Sequence, residues 1–77
     1  MKGSDFKVIR ELLKMSQKEI ASLFGCKTYQ IILLWEKDKA TIPSLVSRIM
    51  LTLGAMREEE REAFINNLTG ITNENFR

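Results

Sequence analysis

Histidine is absent from the 77 residues, and cysteine and proline each occur once. The missing histidine removes the most common general base of enzymes, and one cysteine can form no disulfide within the chain. One cysteine without histidine also leaves no adequate ligand set for zinc. We therefore interpret Cys26 as a small buried residue at a turn, and we expect no enzyme activity, no metal site and no cofactor.

Long apolar runs are also absent. The longest covers residues 31–35, far fewer than the roughly 20 residues that a helix needs to cross a membrane. The N-terminal residues become charged where a signal peptide would need an apolar stretch. We therefore expect a cytoplasmic protein with no membrane partner, and a chain of this length favours a single small domain.

The charges are divided unevenly along the chain. Residues 1–50 contain nine Lys or Arg against five Asp or Glu, whereas residues 51–77 contain three against five. The first part therefore carries +4 and the second −2. A basic N-terminal part could bind an anionic partner, and the acidic part would be kept away from it.

Apolar periodicity predicts an all-α fold of five helices without strands. The predicted helices cover residues 5–14, 16–24, 27–36, 43–53 and 58–68. Residues 1–70 then form one domain, and residues 71–77 form a flexible tail because they show no periodicity. On the fourth helix, Leu45, Ile49 and Leu53 share one side and are expected to face the core.

Residues that begin or end helices support these boundaries. Ser16 followed by Glu19 is a capping box, which marks a helix start. Gly25, Gly54 and Gly70 are expected to follow helix ends, because glycine tolerates the left-handed backbone found there. The connection around Gly25 is about three residues long, which fits the corner of a helix-turn-helix.

Two segments carry a family resemblance. The sequences IRELLKMSQKEIASLFG and WEKDKATIPSL resemble the Cro/phage-repressor-like (XRE) helix-turn-helix family over about residues 5–55. The resemblance implies a compact lambda-repressor-like DNA-binding domain whose second and third helices form the helix-turn-helix. The helix at residues 58–68 is then an addition at the C-terminal side.

Individual positions match the family pattern. Ala21 corresponds to the small residue where the two helices cross, and Gly25 corresponds to the turn. Ile31 and Leu34 correspond to the core anchors of the recognition helix. The resemblance also implies a structural ion pair between Arg10 and Glu36.

The resemblance and the chemistry of the residues together indicate a DNA-binding surface. Polar side chains at the start of the second helix and in the loop after the third can hold phosphates, and these are Ser16, Gln17, Lys18, Lys37 and Lys39. The start of the third helix is the end that enters the major groove in such folds. Its candidates for contacts with bases are Lys27, Thr28, Tyr29, Gln30 and Leu33.

The spacing between Gly25 and Trp35 departs from the family pattern by one residue. Counting from Gly25 places Ile31 and Leu34 inward and Leu33 outward. Counting back from Trp35 places Thr28 and Ile32 inward, and Gln30, Leu33 and Leu34 outward. Both registers remain open, and both place Leu33 on the outside.

The sequence therefore favours a sequence-specific transcriptional regulator of bacterial or phage type that binds double-stranded DNA as a homodimer. A repressor and an antitoxin that regulates its own operon are both forms of this function. The expected dimer contact is the apolar side of the last helix, formed by Phe64, Ile65 and Leu68. The alternative is a protein-interaction module that does not bind DNA, in which the apolar third helix docks a partner such as a toxin or another regulator.

Overall fold

Five helices form the described part of the chain in the computed structural model. The structure describes the backbone of residues 1–75 and the side chains of residues 1–67, and residues 1–75 contain no strand. The helices are α1 (Gly3–Leu12), α2 (Gln17–Leu23), α3 (Gln30–Glu36), α4 (Ser44–Ala55) and α5 (Glu58–Asn75). The radius of gyration of the Cα atoms is 12.2 Å, close to the roughly 11.5 Å of a compact chain of this length. The predicted all-helical class is confirmed.

The core is assembled around α1, which packs against both α3 and α4, while α2 packs against α3. The fully buried large side chains come from all four of these helices and are Phe6, Ile20, Ile32, Met50 and Leu53. The rings of Phe6 and Trp35 meet edge to face with their centroids 5.7 Å apart, an arrangement that aromatic pairs prefer. This contact fixes α3 against α1.

The first three helices end in the same way. Gly25 follows α2 with a φ of +72°, and the next residue, Cys26, donates its N–H to the carbonyl of Ala21 at 2.8 Å. This is the Schellman arrangement, so the predicted role of Gly25 is confirmed. Lys14 and Asp38 occupy the same position after α1 and α3, with φ values of +58° and +56°. Lysine gives no signal for a left-handed backbone and aspartate gives only a weak one, so the sequence did not predict these two ends.

Gly3 lies where the start of α1 meets the end of α3. A Cβ atom at Gly3 would overlap the carbonyl oxygen of Trp35 and would lie 2.6 Å from that of Glu36. The Gly3 N–H donates to a carboxylate oxygen of Asp38 at 2.8 Å. Only a residue without a side chain allows the two helices to approach this closely.

The start of α3 differs from the prediction. The helix begins at Gln30 rather than at Lys27, and residues 24–29 connect it to α2. Tyr29 precedes the first turn without a capping side chain. The connection is longer than the expected three residues because the chain must still turn into α3 after the Schellman end of α2.

The longer connection settles the register of α3. Ile32 and Trp35 are buried, as expected when counting back from Trp35. Leu34 is exposed, so the register that placed it in the core is wrong, and Leu33 is half-buried rather than fully outward. Thr28 is exposed because it lies in the connection and not on the helix.

The last two helices also differ in detail. Leu53 is buried as predicted, together with Met50, whereas Leu45 is exposed, so the predicted inward position of Leu45 is wrong. Gly54 lies inside α4, where an added Cβ would come within 3.3 Å of Ile9. It therefore permits close packing of α4 on α1 rather than ending the helix. Helix α5 continues through Gly70 to Asn75, and residues 76 and 77 of the predicted tail lie outside the described part.

Candidate nucleic-acid interface

The outer side of α3 is formed by residues one turn apart. Gln30, Leu34 and Lys37 are exposed, and at 100° per residue they fall within one narrow sector of the helix. Leu33 lies half-buried at the edge of this sector. The opposite side holds Ile32 and Trp35 in the core. We refer to Gln30, Leu33, Leu34 and Lys37 as the outer stripe of α3.

The connection before α3 adds further exposed side chains to the outer stripe. Lys27, Thr28 and Tyr29 are exposed, although none of them lies within the helix as predicted. The ammonium group of Lys18 on α2 is 5.6 Å from the centroid of the Tyr29 ring, within the range of a cation–π interaction. This contact brings a predicted phosphate-binding residue of α2 next to a predicted base-contacting residue.

The start of α2 is held by its own capping box. The Ser16 hydroxyl oxygen accepts from the Glu19 N–H at 3.0 Å, and the Glu19 carboxylate accepts from the Ser16 N–H at 2.9 Å. The bond from the Ser16 backbone, and then that from its hydroxyl, lower the pKa of Glu19 below its ordinary 4.5. Both donor groups of Ser16 are therefore directed at the Glu19 carboxylate, which a phosphate would have to displace in order to bind them.

A polar cluster joins α1, α2 and α3 behind the outer stripe. The predicted ion pair is present, with Nε of Arg10 2.6 Å from one oxygen of Glu36 and Nη2 3.2 Å from the other. Arg10 also donates to the Met15 carbonyl at 3.0 Å. The side chains of Arg10 and Glu36 are only 11% and 6% exposed. A paired guanidinium and carboxylate in this geometry hold each other rigidly.

Gln17 belongs to the same cluster. Its side-chain amide donates to Glu36 at 3.1 Å, a contact that the sequence did not predict. Because Glu36 ends α3 and Gln17 begins α2, the bond fixes the angle between the two helices. The carbonyl oxygen cannot donate to a phosphate, so the backbone N–H and the second amide hydrogen are the groups that remain to Gln17 for that role.

The acidic and basic side chains around α3 differ in whether they have partners within the chain. The three acidic residues of segment 16–39 all bind groups of the chain itself: Glu19 binds Ser16, Glu36 binds Arg10 and Gln17, and Asp38 binds Gly3. Four lysines of the same segment are exposed and make no ion pair with any described residue, and these are Lys18, Lys27, Lys37 and Lys39. Because Glu36 is paired with Arg10, the remaining charges of the segment are the four lysines against Glu19 and Asp38, so that four positive and two negative charges leave an excess of +2.

Two of the predicted dimer residues, Phe64 and Ile65, line cavities together with residues of α4 and α1. Phe64 is 36% exposed and lines a shallow cavity with Ile49 and Leu53 of α4. Ile65 is half-buried and lines another with Leu12 and Leu13 of α1. The side chain of Leu68 lies outside the described residues. The described apolar side chains of α5 therefore face α1 and α4 across these cavities.

Among the described residues, no group of three or more His, Cys, Asp or Glu side chains is placed to hold a metal ion. Within the same residues, no helix is both long and apolar enough to cross a membrane. Compared with models of protein families, with curated proteins and with solved structures, the chain gives no match.

Proposed function

We propose that the chain is a sequence-specific DNA-binding transcriptional regulator, in which α2 and α3 form a helix-turn-helix and α3 enters the major groove. The observation that carries the proposal is the asymmetry of α3. One side is fixed in the core by Ile32 and Trp35, while the outer stripe is exposed among four lysines without ion pairs. A short helix held rigidly in an electropositive surface is what major-groove recognition needs.

The contacts fall into two groups. Lys18, Lys37 and Lys39 bind phosphates and set the position of the domain, with Ser16 and Gln17 adding weaker donors at the start of α2. Gln30 is placed to pair with adenine, and Lys27, Thr28, Tyr29 and Leu33 lie beside it for further contacts with base edges. Repressor and self-regulating antitoxin are both compatible with this surface.

Selection of bound duplexes from a random DNA pool tests the proposal directly. We expect a short conserved half-site and an affinity that falls steeply with salt, because bound lysines release counterions from the phosphates. Lys39→Ala should reduce the slope of log K against log salt by about 1 on every sequence. Failure to enrich any sequence, together with binding that does not depend on salt, would refute a DNA-binding role.

Arg57→Ala is the matched control for Lys39→Ala. It also removes one positive charge from an exposed side chain, but Arg57 lies beyond the end of α4 and pairs with Glu60 at 2.8 Å. We expect its slope to equal that of the unchanged protein. Equal losses from both variants would show that the overall charge of the protein, and not the surface around α3, determines binding.

The proposed regulator is a homodimer, because a single α3 would contact only a few base pairs, which is too few for selective binding. We expect α5 to supply the contact through Phe64, Ile65 and Leu68, which leaves the outer stripe free. Phe64→Lys and Leu34→Lys are comparable tests, because the two side chains are 36% and 41% exposed. In analytical ultracentrifugation, Phe64→Lys should give monomers and Leu34→Lys should leave the dimer intact. The reverse result would place the dimer contact on α3.

The exposure of Tyr29 and Leu34 also favours a second candidate function, a module that binds another protein through α3. That partner would need an apolar groove bordered by carboxylates, to match Leu34 and the surrounding lysines. Such a module would not shift the mobility of any duplex in a salt-dependent way. The duplex selection therefore separates the two functions.

A further inference from the structure

Leu34 is the one exposed large apolar side chain of the outer stripe, and it is 41% exposed. It lies one turn after Gln30 and three residues before Lys37, so its neighbours on the surface are polar. A leucine gains nothing from the phosphate backbone, and it cannot replace the water bound to a hydrogen-bonding base edge. If α3 contacts a partner, Leu34 therefore favours an apolar group at its point of contact.

The major groove offers one apolar group on an unmodified base, the C5 methyl of thymine. Leu34 lies about 6 Å along the helix axis from Gln30, and base pairs are stacked about 3.4 Å apart. The two side chains can therefore reach base pairs that are one or two steps apart. The lysines on either side favour an anionic duplex over an apolar protein groove as the occupant of this surface.

We propose that Leu34 is a specificity-determining residue that reads the C5 methyl group of a thymine within two base pairs of the base bound by Gln30. This inference depends on the proposed function and adds the base type that the middle of α3 selects. It also explains how an apolar helix can be compatible with DNA binding: the leucine replaces a hydrogen-bonding contact with a contact to a methyl group.

The test uses the half-site obtained from the random pool. Each thymine is replaced in turn by deoxyuridine, which removes the methyl group and retains base pairing and the major-groove oxygen. We expect the unchanged protein to lose about fourfold in affinity at one position, the loss that corresponds to burying one methyl group. Fluorescence anisotropy with labelled duplexes measures this change.

Three variants assign the loss to a residue. Leu34→Ala should bind the thymine and deoxyuridine duplexes equally, and Leu34→Met should restore a preference for thymine because it restores apolar contact. Leu45→Ala is the control, since Leu45 is an exposed leucine on α4 outside the outer stripe, and it should keep the full preference. Both positions are on the surface, so the three variants should fold, which circular dichroism can verify.

Two results would overturn the inference while leaving DNA binding intact. One is equal affinity for every deoxyuridine duplex, and the other is a thymine preference that Leu34→Ala retains. A protein that enriches no duplex at all would overturn the proposed function as well. The test therefore distinguishes failure of the inference about Leu34 from failure of the proposed DNA-binding function.

Discussion

Replacing either member of the Arg10–Glu36 pair should destabilise the protein far more than the loss of an ordinary surface ion pair. Arg10→Met keeps the apolar stem of the side chain but leaves the Glu36 carboxylate, which is 6% exposed, with Gln17 as its remaining side-chain donor. Glu36→Gln keeps the shape but leaves the buried guanidinium without its counter-charge. Breaking one partner of a buried pair destabilises a protein by about 3–5 kcal/mol.

The burial of the Arg10 and Glu36 side chains determines how much stability we expect each substitution to remove. Because both side chains are nearly inaccessible, we expect each single substitution to lower the free energy of unfolding by about 3 kcal/mol. A domain of this length has a total stability of about 4–12 kcal/mol, so each variant should also melt at least 10 °C lower, by the roughly 4–8 °C per kcal/mol typical of small domains. The double variant should lose less than the sum, with a coupling energy of about 2 kcal/mol.

Urea denaturation followed by circular dichroism measures all four proteins of this double-mutant cycle. The exposed pair between Arg57 and Glu60, whose side chains are 80% and 52% exposed, is the control, and its cycle should give about 0.5 kcal/mol or less. Additive losses at Arg10 and Glu36 would refute the reasoning, because they would mean that the two side chains stabilise the fold independently.

Three further substitutions test features of the helix ends. Gly3→Ala should destabilise by about 2 kcal/mol in urea denaturation, because its Cβ would overlap backbone oxygens at the end of α3, whereas Ser4→Ala, at an exposed position, should change little. Lys14→Gly should stabilise by about 0.5–1 kcal/mol, because it relieves a left-handed backbone; a gain of the same size in Lys14→Ala would contradict this cause. The lowered pKa of Glu19 means that its capping bond stabilises the fold above about pH 4.5 and that this contribution is lost as the pH falls through the lower, folded-state pKa. Glu19→Gln should therefore show a smaller fall in melting temperature between pH 5 and pH 3, and an unchanged acid dependence would argue against the capping bond as its source.

The parts of the fold that the sequence predicted are those in which one residue type has one structural use. Ser16 with Glu19, and Gly25 after an apolar helix, indicate a helix start and a helix end through local hydrogen bonds and backbone freedom. Phe6 and Ile20 recur in helical periods and are buried. These signals require no knowledge of what lies across the core.

The parts that were not predicted depend on neighbours distant in sequence. Leu45 fits the apolar period of α4, but it lies outward because α1 and α5 cover other sides of that helix. Glycine after an apolar helix predicts a helix end at Gly54. The proximity of Ile9, which accounts for Gly54 inside α4, cannot be read from the local sequence. The start of α3 was placed too early because the extra residue before Trp35 could be accommodated in the helix or in the connection.

The candidate site shows the same division. The pair between Arg10 and Glu36 followed from the family resemblance, and the structure contains it. The bond from Gln17 to Glu36 and the proximity of Lys18 to Tyr29 had no local signal, because each joins residues on different elements. A count back from Trp35 was the one feature of the sequence that indicated an exposed Leu34.

The close contact at Gly3 has an electrostatic consequence for α3. The carbonyl ends of a helix carry partial negative charge and the N–H ends carry partial positive charge. At Gly3 the positive end of α1 lies against the carbonyl oxygens of Trp35 and Glu36, and the carboxylate of Asp38 accepts the Gly3 N–H. The negative end of α3 therefore lies against the positive end of α1 within the protein. The missing side chain of Gly3 thus brings helix ends of opposite partial charge together, which is an electrostatically favourable arrangement.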